Sequence, residues 1–330
     1  MIHTIRFWLN NARTTALAQS LLPAVLAFCM ATQVEGFSAG LGFMAVIGAM
    51  LAHLSMNLFD DYFDYRIKGS EFRDAMARKG FRARISKCAY LTTGKATLKQ
   101  LLIACIVFSA VACMFGAVIW WFRGNAILWL TLIAGILGVS YSGAPLRLSY
   151  HGLGELVIGL LFGPMLMAGV YYAACGHFDW PVAFVSVPVG LLVANVVYTH
   201  AIMDYEPDKE VGKMTFAVLL KSKKRMLAAS FFILFAPFAV IIGGVVSGYL
   251  SPCYLLTLLG LPMAVSLFYL MTAFVRRPEK KFRSRWWMGP MENWQAIQQA
   301  NLDWFMIRWY LSRNLLSFFC LIIILIVFIF

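Results

Sequence analysis

Charge is what this chain has least of. Only 13% of its 330 residues are Asp, Glu, Lys or Arg, against about a quarter in an average soluble domain. Acids are scarcer than bases, 15 against 28, while 61% of residues are hydrophobic and the mean hydropathy is +0.76. That excludes an ordinary soluble enzyme and a disordered chain, both of which carry far more polar surface. The seven cysteines (29, 88, 105, 113, 175, 253, 320) show no paired metal or redox spacing, so they read as small apolar residues. A cleavable signal is not expected, because the first apolar run follows a polar, Arg-containing start and lacks a small-x-small site. The net charge of +13 would suggest nucleic acid in a soluble chain. In so apolar a chain it has to be read against a bilayer first, and no nucleic-acid partner is expected.

What the sequence does have is long uncharged runs, at about 14–32, 39–59, 100–122, 124–146, 156–178, 180–203, 226–275 and 314–330. A span needs about 20 apolar residues. The run 226–275 is twice that, and Gly248-Tyr-Leu-Ser-Pro252 makes a turn near its middle. Splitting it there predicts an all-α integral membrane protein of about nine transmembrane helices, the last starting near Trp309. With nine spans, the N-terminal segment and the second, fourth, sixth and eighth connections share one face and hold 27 of the 28 Lys and Arg. Arg123 alone falls on the other. Basic loops stay in the cytoplasm, so the N-terminus is expected to be cytoplasmic, in an inner or plasma membrane. The chain reads as one membrane domain, 1–330, with cytoplasmic loops at 60–98, 204–225 and 276–308 carrying or capping a site.

Nine of the 15 acids lie in two windows: Asp60, Asp61, Asp64, Glu71 and Asp74 after the second span, and Asp204, Glu206, Asp208 and Glu210 after the sixth. In Asn57-Leu-Phe-Asp60-Asp61-Tyr-Phe-Asp64 the polar residues fall at i, i+3, i+4 and i+7, one face of a helix if the second span continues, with His53 a turn earlier. Asp204 and Asp208 are also four apart, with His200 a turn before them. A carboxylate near a bilayer is costly, about 2.5–3.5 kcal/mol at the centre of a span. Such clusters are tolerable when divalent cations neutralise them. Mg²⁺ fits, since it takes one or two carboxylates and fills its other positions with water and substrate phosphates. Arg66, Lys68, Lys209 and Lys213 lie just downstream, and cations beside carboxylates suit a metal-bridged diphosphate.

These residues resemble the UbiA superfamily of intramembrane prenyltransferases. Its two aspartate motifs are matched by Asp60-Asp61-Tyr-Phe-Asp64 and Asp204-Tyr-Glu-Pro-Asp208, the second extended by Gly212-Lys213-Met-Thr215 as in the family. Tyr141-Ser-Gly-Ala-Pro-Leu-Arg147-Leu-Ser-Tyr150-His151-Gly-Leu-Gly-Glu155, running to Phe162-Gly-Pro164, is similar to the 1,4-dihydroxy-2-naphthoate branch, as is Asn10-Asn-Ala-Arg13-Thr-Thr-Ala-Leu. The chain departs from the pattern where Asp60 replaces the usual Asn, where His200 and Ala201 replace amides, and where the N-terminal motif lacks its Pro and Lys.

The resemblance implies an enzyme that moves a polyprenyl group from a polyprenyl diphosphate to an aromatic acceptor with Mg²⁺. It implies that Asp61 and Asp64, supported by Asn57 or Asp60, hold one ion and that Asp204 and Asp208 hold another, the diphosphate clamped by both. Arg13, Arg147 and Lys213 are then candidate diphosphate contacts, with Tyr141 beside them. His53, His151 and His200 are possible proton acceptors or hydrogen-bond donors. Dihydroxynaphthoate is the favoured acceptor; 4-hydroxybenzoate, homogentisate or a haem-like ring would suit the same chemistry. A cation-coupled transporter would also use membrane carboxylates, but nearer the midplane and within repeated halves. Segment 276–313 opens with Arg276, Arg277, Lys280, Lys281, Arg283 and Arg285, which suit anionic headgroups. Its tryptophans 286, 287, 294, 304 and 309 predict an interfacial helix.

Overall fold

The computed structural model describes residues 2–68, 88–210, 212–277 and 280–330. Glu71 and Asp74, within residues 69–87 of the loop expected at 60–98, lie outside them. Apart from one isolated bridge, the described residues form helices and turns. Eight helices are long and apolar enough to cross a membrane: α2 (Ala39–Lys68), α3 (Leu98–Arg123), α4 (Asn125–Ser142), α5 (Gly154–Cys175), α6 (Trp180–Met203), α7 (Lys223–Val246), α8 (Pro252–Arg276) and α9 (Asp303–Ile329). The expected first span appears as a shorter apolar helix, α1 (Ala18–Ala31), of 14 residues. A helix-like start at Ile2–Asn11 and a 3-10 turn at Thr14–Ala16 precede it. The turn expected near Gly248 separates α7 from α8, with Gly248 at φ 79°.

Two compact units form: residues 1–148 with 165–182, and residues 149–164 with 183–330. In the first, α2 packs along α3 and against α1 and the Leu166–Cys175 half of α5. Arg123 ends α3 here, and its exceptional position in the charge pattern has a structural reason. Its Nε donates to Ala173 O at 2.9 Å, and Nη2 to Ala174 O at 2.6 Å and Gly36 O at 3.1 Å. The last carbonyls of a helix have no partner within it. One guanidinium supplies them and ties in the turn after α1.

In the second unit α6 approaches the Gly154–Leu160 half of α5 at close range: a Cβ on Gly159 would lie 2.9 Å from Gly190 O. Two residues expected in the basic loop belong instead to α9. Arg308 is fully buried there, donating through Nε to Leu270 O at 3.1 Å and through Nη1 to Trp304 O at 2.6 Å, with Phe274 beneath it at 4.5 Å. Arg313 is buried over Trp309 and Tyr310. The loop before α9 is likewise not one interfacial helix. It contains a 3-10 turn at Trp286–Met288 and a short helix at Trp294–Gln299, while Trp304 and Trp309 sit in α9. Asn314 pins that loop by donating to Met288 O at 2.8 Å and Pro290 O at 2.9 Å.

Helix length is what sets up the carboxylates. At 1.5 Å per residue the 30 residues of α2 reach about 45 Å, beyond a hydrocarbon layer of about 30 Å. Twenty residues counted from Ala39 end at Leu58, so Asp60 begins the part that projects. The 24 residues of α6 end at Met203, immediately before Asp204.

Candidate active site

In the first unit α2 runs through the whole motif, so Asn57, Asp60, Asp61 and Asp64 form the stripe their spacing predicts. Asp61 and Asp64 are each only 2% exposed. Asp60 and Asp61 share a cation: Arg13 Nη2 lies 3.1 Å from Asp60 Oδ2 and pairs closely with Asp61 Oδ1. Arg13 adopts the left-handed region (φ 65°) at the junction of the N-terminal helix and the 3-10 turn. Asn57 helps to set that junction by donating from Nδ2 to Ala12 O at 3.0 Å. Burial would by itself lower the Arg13 pKa; the charges of Asp61 and Asp60 overcome that and raise it. Arg13, expected at the diphosphate, and Asn57, expected to support the first ion, thus engage the motif and its neighbouring backbone.

Two further groups complete this half. Ser142 Oγ, at the end of α4, donates to Asp60 Oδ1 at 2.6 Å. Tyr90 OH donates to Asp61 Oδ2 at 3.2 Å, and burial followed by the Asp61 charge raises the Tyr90 pKa. Tyr90 is wedged edge-on against Phe7 and Trp8. Tyr90 was marked by no motif or spacing, and Ser142 stood in the naphthoate-like segment without an expected role. His53, a turn before Asn57, is buried with Nδ1 2.6 Å from Ser20 Oγ. Tyr141 lies in the last turn of α4; Arg147 follows it at φ 43°, its N–H donating to Gly143 O at 2.9 Å.

In the second unit Asp204 follows α6 and Asp208 lies in the short helix Tyr205–Glu210; each is 6% exposed. The two are one helical turn apart, since Asp208 N–H donates to Asp204 O at 2.9 Å. His200 Nδ1 lies 3.6 Å from Asp204 Oδ2. The segment after the motif folds back on it, Lys213 N–H donating to Asp208 O at 2.8 Å. Lys213 Nζ stands 5.9 Å from the Tyr150 ring centre, and His151 bridges to Met214. Glu155 is buried as well and accepts the Phe216 N–H. In the sequence it closes the naphthoate-like segment without an expected role, although it is the sole acid between Arg123 and Asp179.

The donor set suits a hard divalent cation. In each unit two buried aspartates offer carboxylate oxygens, the chemistry Mg²⁺ prefers. Among the described residues no three His, Cys, Asp or Glu side chains form a closed metal cage. Mg²⁺ needs none, because phosphate and water complete its shell.

Comparison with known proteins identifies the family. The model of the UbiA prenyltransferase family matches residues 20–292, and the chain belongs to that family. It is therefore a prenyltransferase, and a multi-pass membrane protein. The 1,4-dihydroxy-2-naphthoate octaprenyltransferase of Bacillus subtilis is 25% identical over 265 residues, covering 77% of this chain and 78% of that protein. The enzyme of the same description from Mycobacterium tuberculosis is 25% identical over 227 residues, 67% of this chain and 72% of the relative. Among solved structures, a UbiA homologue from Archaeoglobus fulgidus bound to GPP and Mg²⁺ shares the fold, with a TM-score of 0.57 over 96% of this chain and 99% of that one at 14% identity.

Proposed function

We propose that the chain transfers a polyprenyl group from a polyprenyl diphosphate to 1,4-dihydroxy-2-naphthoate, with Mg²⁺, at the cytoplasmic side of an inner or plasma membrane. The observation that carries this reading is the four buried aspartates: Asp61 and Asp64 in the last turns of the membrane-length helix α2, and Asp204 and Asp208 just beyond α6. Asp61 and Asp64 would hold one ion, with Asp60 in support, and Asp204 and Asp208 the other. When bound, Mg²⁺ supplies positive charge against the diphosphate as its bond to the allylic carbon breaks. Arg147 and Lys213 add charge to the diphosphate oxygens, and Arg13 balances Asp60 and Asp61. Apolar walls keep water from the allylic cation. The electron-rich ring of the acceptor then forms the new C–C bond as diphosphate leaves, and its carboxylate departs as carbon dioxide, with no net loss of a proton.

The acceptor rests on the naphthoate-specific descriptions of the Bacillus and Mycobacterium relatives and on the segment Tyr141–Glu155. The side of the membrane rests on 27 of 28 basic residues sharing one face in the nine-span reading. Purified protein should be given Mg²⁺, a polyprenyl diphosphate and competing aromatic acceptors, with the products followed by mass spectrometry. The expected product is prenylated, decarboxylated naphthoate, abolished by chelator and restored by Mg²⁺. Prenylation of 4-hydroxybenzoate or homogentisate in its place would overturn the acceptor, and chelator-resistant turnover the metal.

A further inference from the structure

Lys213 lies in a stretch of irregular chain, yet that stretch is fastened at several points to residues 150–155 of the same unit. The loop closes on itself first: Gly212 is left-handed (φ 66°), Lys213 N–H donates to Asp208 O, and Thr215 N–H donates to Lys213 O at 3.0 Å. It then enters the short helix Phe216–Leu220. Thr215 occupies the capping position but does not cap, and its buried Oγ1 has no hydrogen-bond partner among the described residues. Glu155 does the capping from another helix. Its Oε1 accepts the Phe216 N–H at 3.3 Å, the kind of orphan donor a helix start exposes. His151 bridges to Met214 two residues upstream. There is little slack, because Gly152 (φ 76°) packs so closely that a Cβ there would lie 2.9 Å from Leu219 Cδ2.

Glu155 is 5% exposed. A carboxylate that deep is expensive near a membrane unless it holds something in place. We infer that Glu155 is a positioning residue: by capping Phe216 it sets the turn that presents Lys213 to the diphosphate of the donor. This inference rests on the donor reading above. Glu155 itself touches no substrate; it acts through the loop backbone.

The test is a double-mutant cycle on the full-length protein in detergent, reading affinity for radiolabelled geranyl diphosphate in Mg²⁺. Glu155→Ala and Lys213→Ala should each weaken binding about tenfold, and the double variant no further than Lys213→Ala alone, the non-additivity of one shared pathway. Glu155→Gln keeps an acceptor oxygen and should restore affinity to within about twofold of the original. If Glu155→Ala does not fold, Glu155→Asp, one methylene short of Phe216, replaces it in the cycle. Multiplying penalties, a Gln variant as poor as Ala, or unaltered affinity in the Ala or Asp variant would each overturn the proposal. Hydrogen exchange at residues 213–216 separates this inference from the donor reading. Faster exchange at these amides in the Glu155 variant, without ligand, supports the positioning role even if no prenyl diphosphate binds the unmutated chain. Unchanged exchange defeats it.

Discussion

The two aspartate motifs have the same spacing of carboxylates and opposite kinds of support. The first is rigid by descent: α2 continues through it, and its partners come from far away in the chain. Arg13 is 47 residues from Asp60, Ser142 is 82 residues from it, and Tyr90 is 29 residues from Asp61. The second lies where a helix has just ended, and its two aspartates are ordered by local backbone bonds, while the loop that follows is fastened to residues 150–155. Asp204, Asp208 and Lys213 are joined in turn by backbone hydrogen bonds. A motif on a continuous helix needs side chains to neutralise it, whereas one on a broken helix needs its backbone held.

Symmetry of function across this asymmetry of support is the first thing to break. Asp64→Ala or Asp208→Ala should each lower turnover by at least about 100-fold in protein that stays folded in detergent. Near-normal turnover in either would remove that motif from the metal site. The support itself comes next. Arg13→Ala strands Asp60 and Asp61 without their cation and should cost about 3 kcal/mol of stability by thermal melting in detergent. Adding Asp60→Asn should recover a large part of that loss; no recovery would mean that Arg13 matters for packing alone. Tyr90→Phe removes a single hydrogen bond to Asp61 and should cost about 1 kcal/mol by the same measurement. On the other motif, His200→Ala should shift the melting free energy by less than about 0.5 kcal/mol, because a half-exposed imidazole 3.6 Å from Asp204 contributes little. A loss at His200 equal to that at Arg13 would erase the contrast.

The sequence was most legible where physics is one-dimensional. A helix in lipid must satisfy its backbone internally and be long enough to cross, so uncharged runs located α2 to α8 closely, and Trp180–Met203 fell within the run 180–203. The last helix reads poorly because Arg308 and Arg313 are charged yet buried. Arg308 finds the carbonyls of Leu270 and Trp304, and Arg313 lies over two aromatic rings beside Glu292, so both are held within the packed helix. The tryptophans after residue 285 misled in the other direction: composition showed an interface, but Gly289 and the Asn314 contacts break that segment into short pieces.

At the site, the carboxylates announced themselves because acids are rare here and two groups of them repeat at helical spacing. Their partners did not. Nothing in the sequence near Arg13 says that it reaches Asp60 and Asp61; a basic residue in a loop looks the same whether it orients the chain in a membrane or neutralises an aspartate. Tyr90 carries no pattern at all, and Ser142 and Glu155, although they stand in the naphthoate-like segment, have no period that would mark their partners.

The amino-acid sequence alone therefore determined a helical membrane protein, the two carboxylate motifs and the chemistry they suit, because hydropathy, charge and helical period act between residues close in the chain. Tertiary structure alone decided which cation balances Asp60 and Asp61, which residue caps the Lys213 turn and why Arg123 stands apart. Those are questions of which buried donor meets which buried acceptor, and the answer depends on contacts that only the folded chain creates.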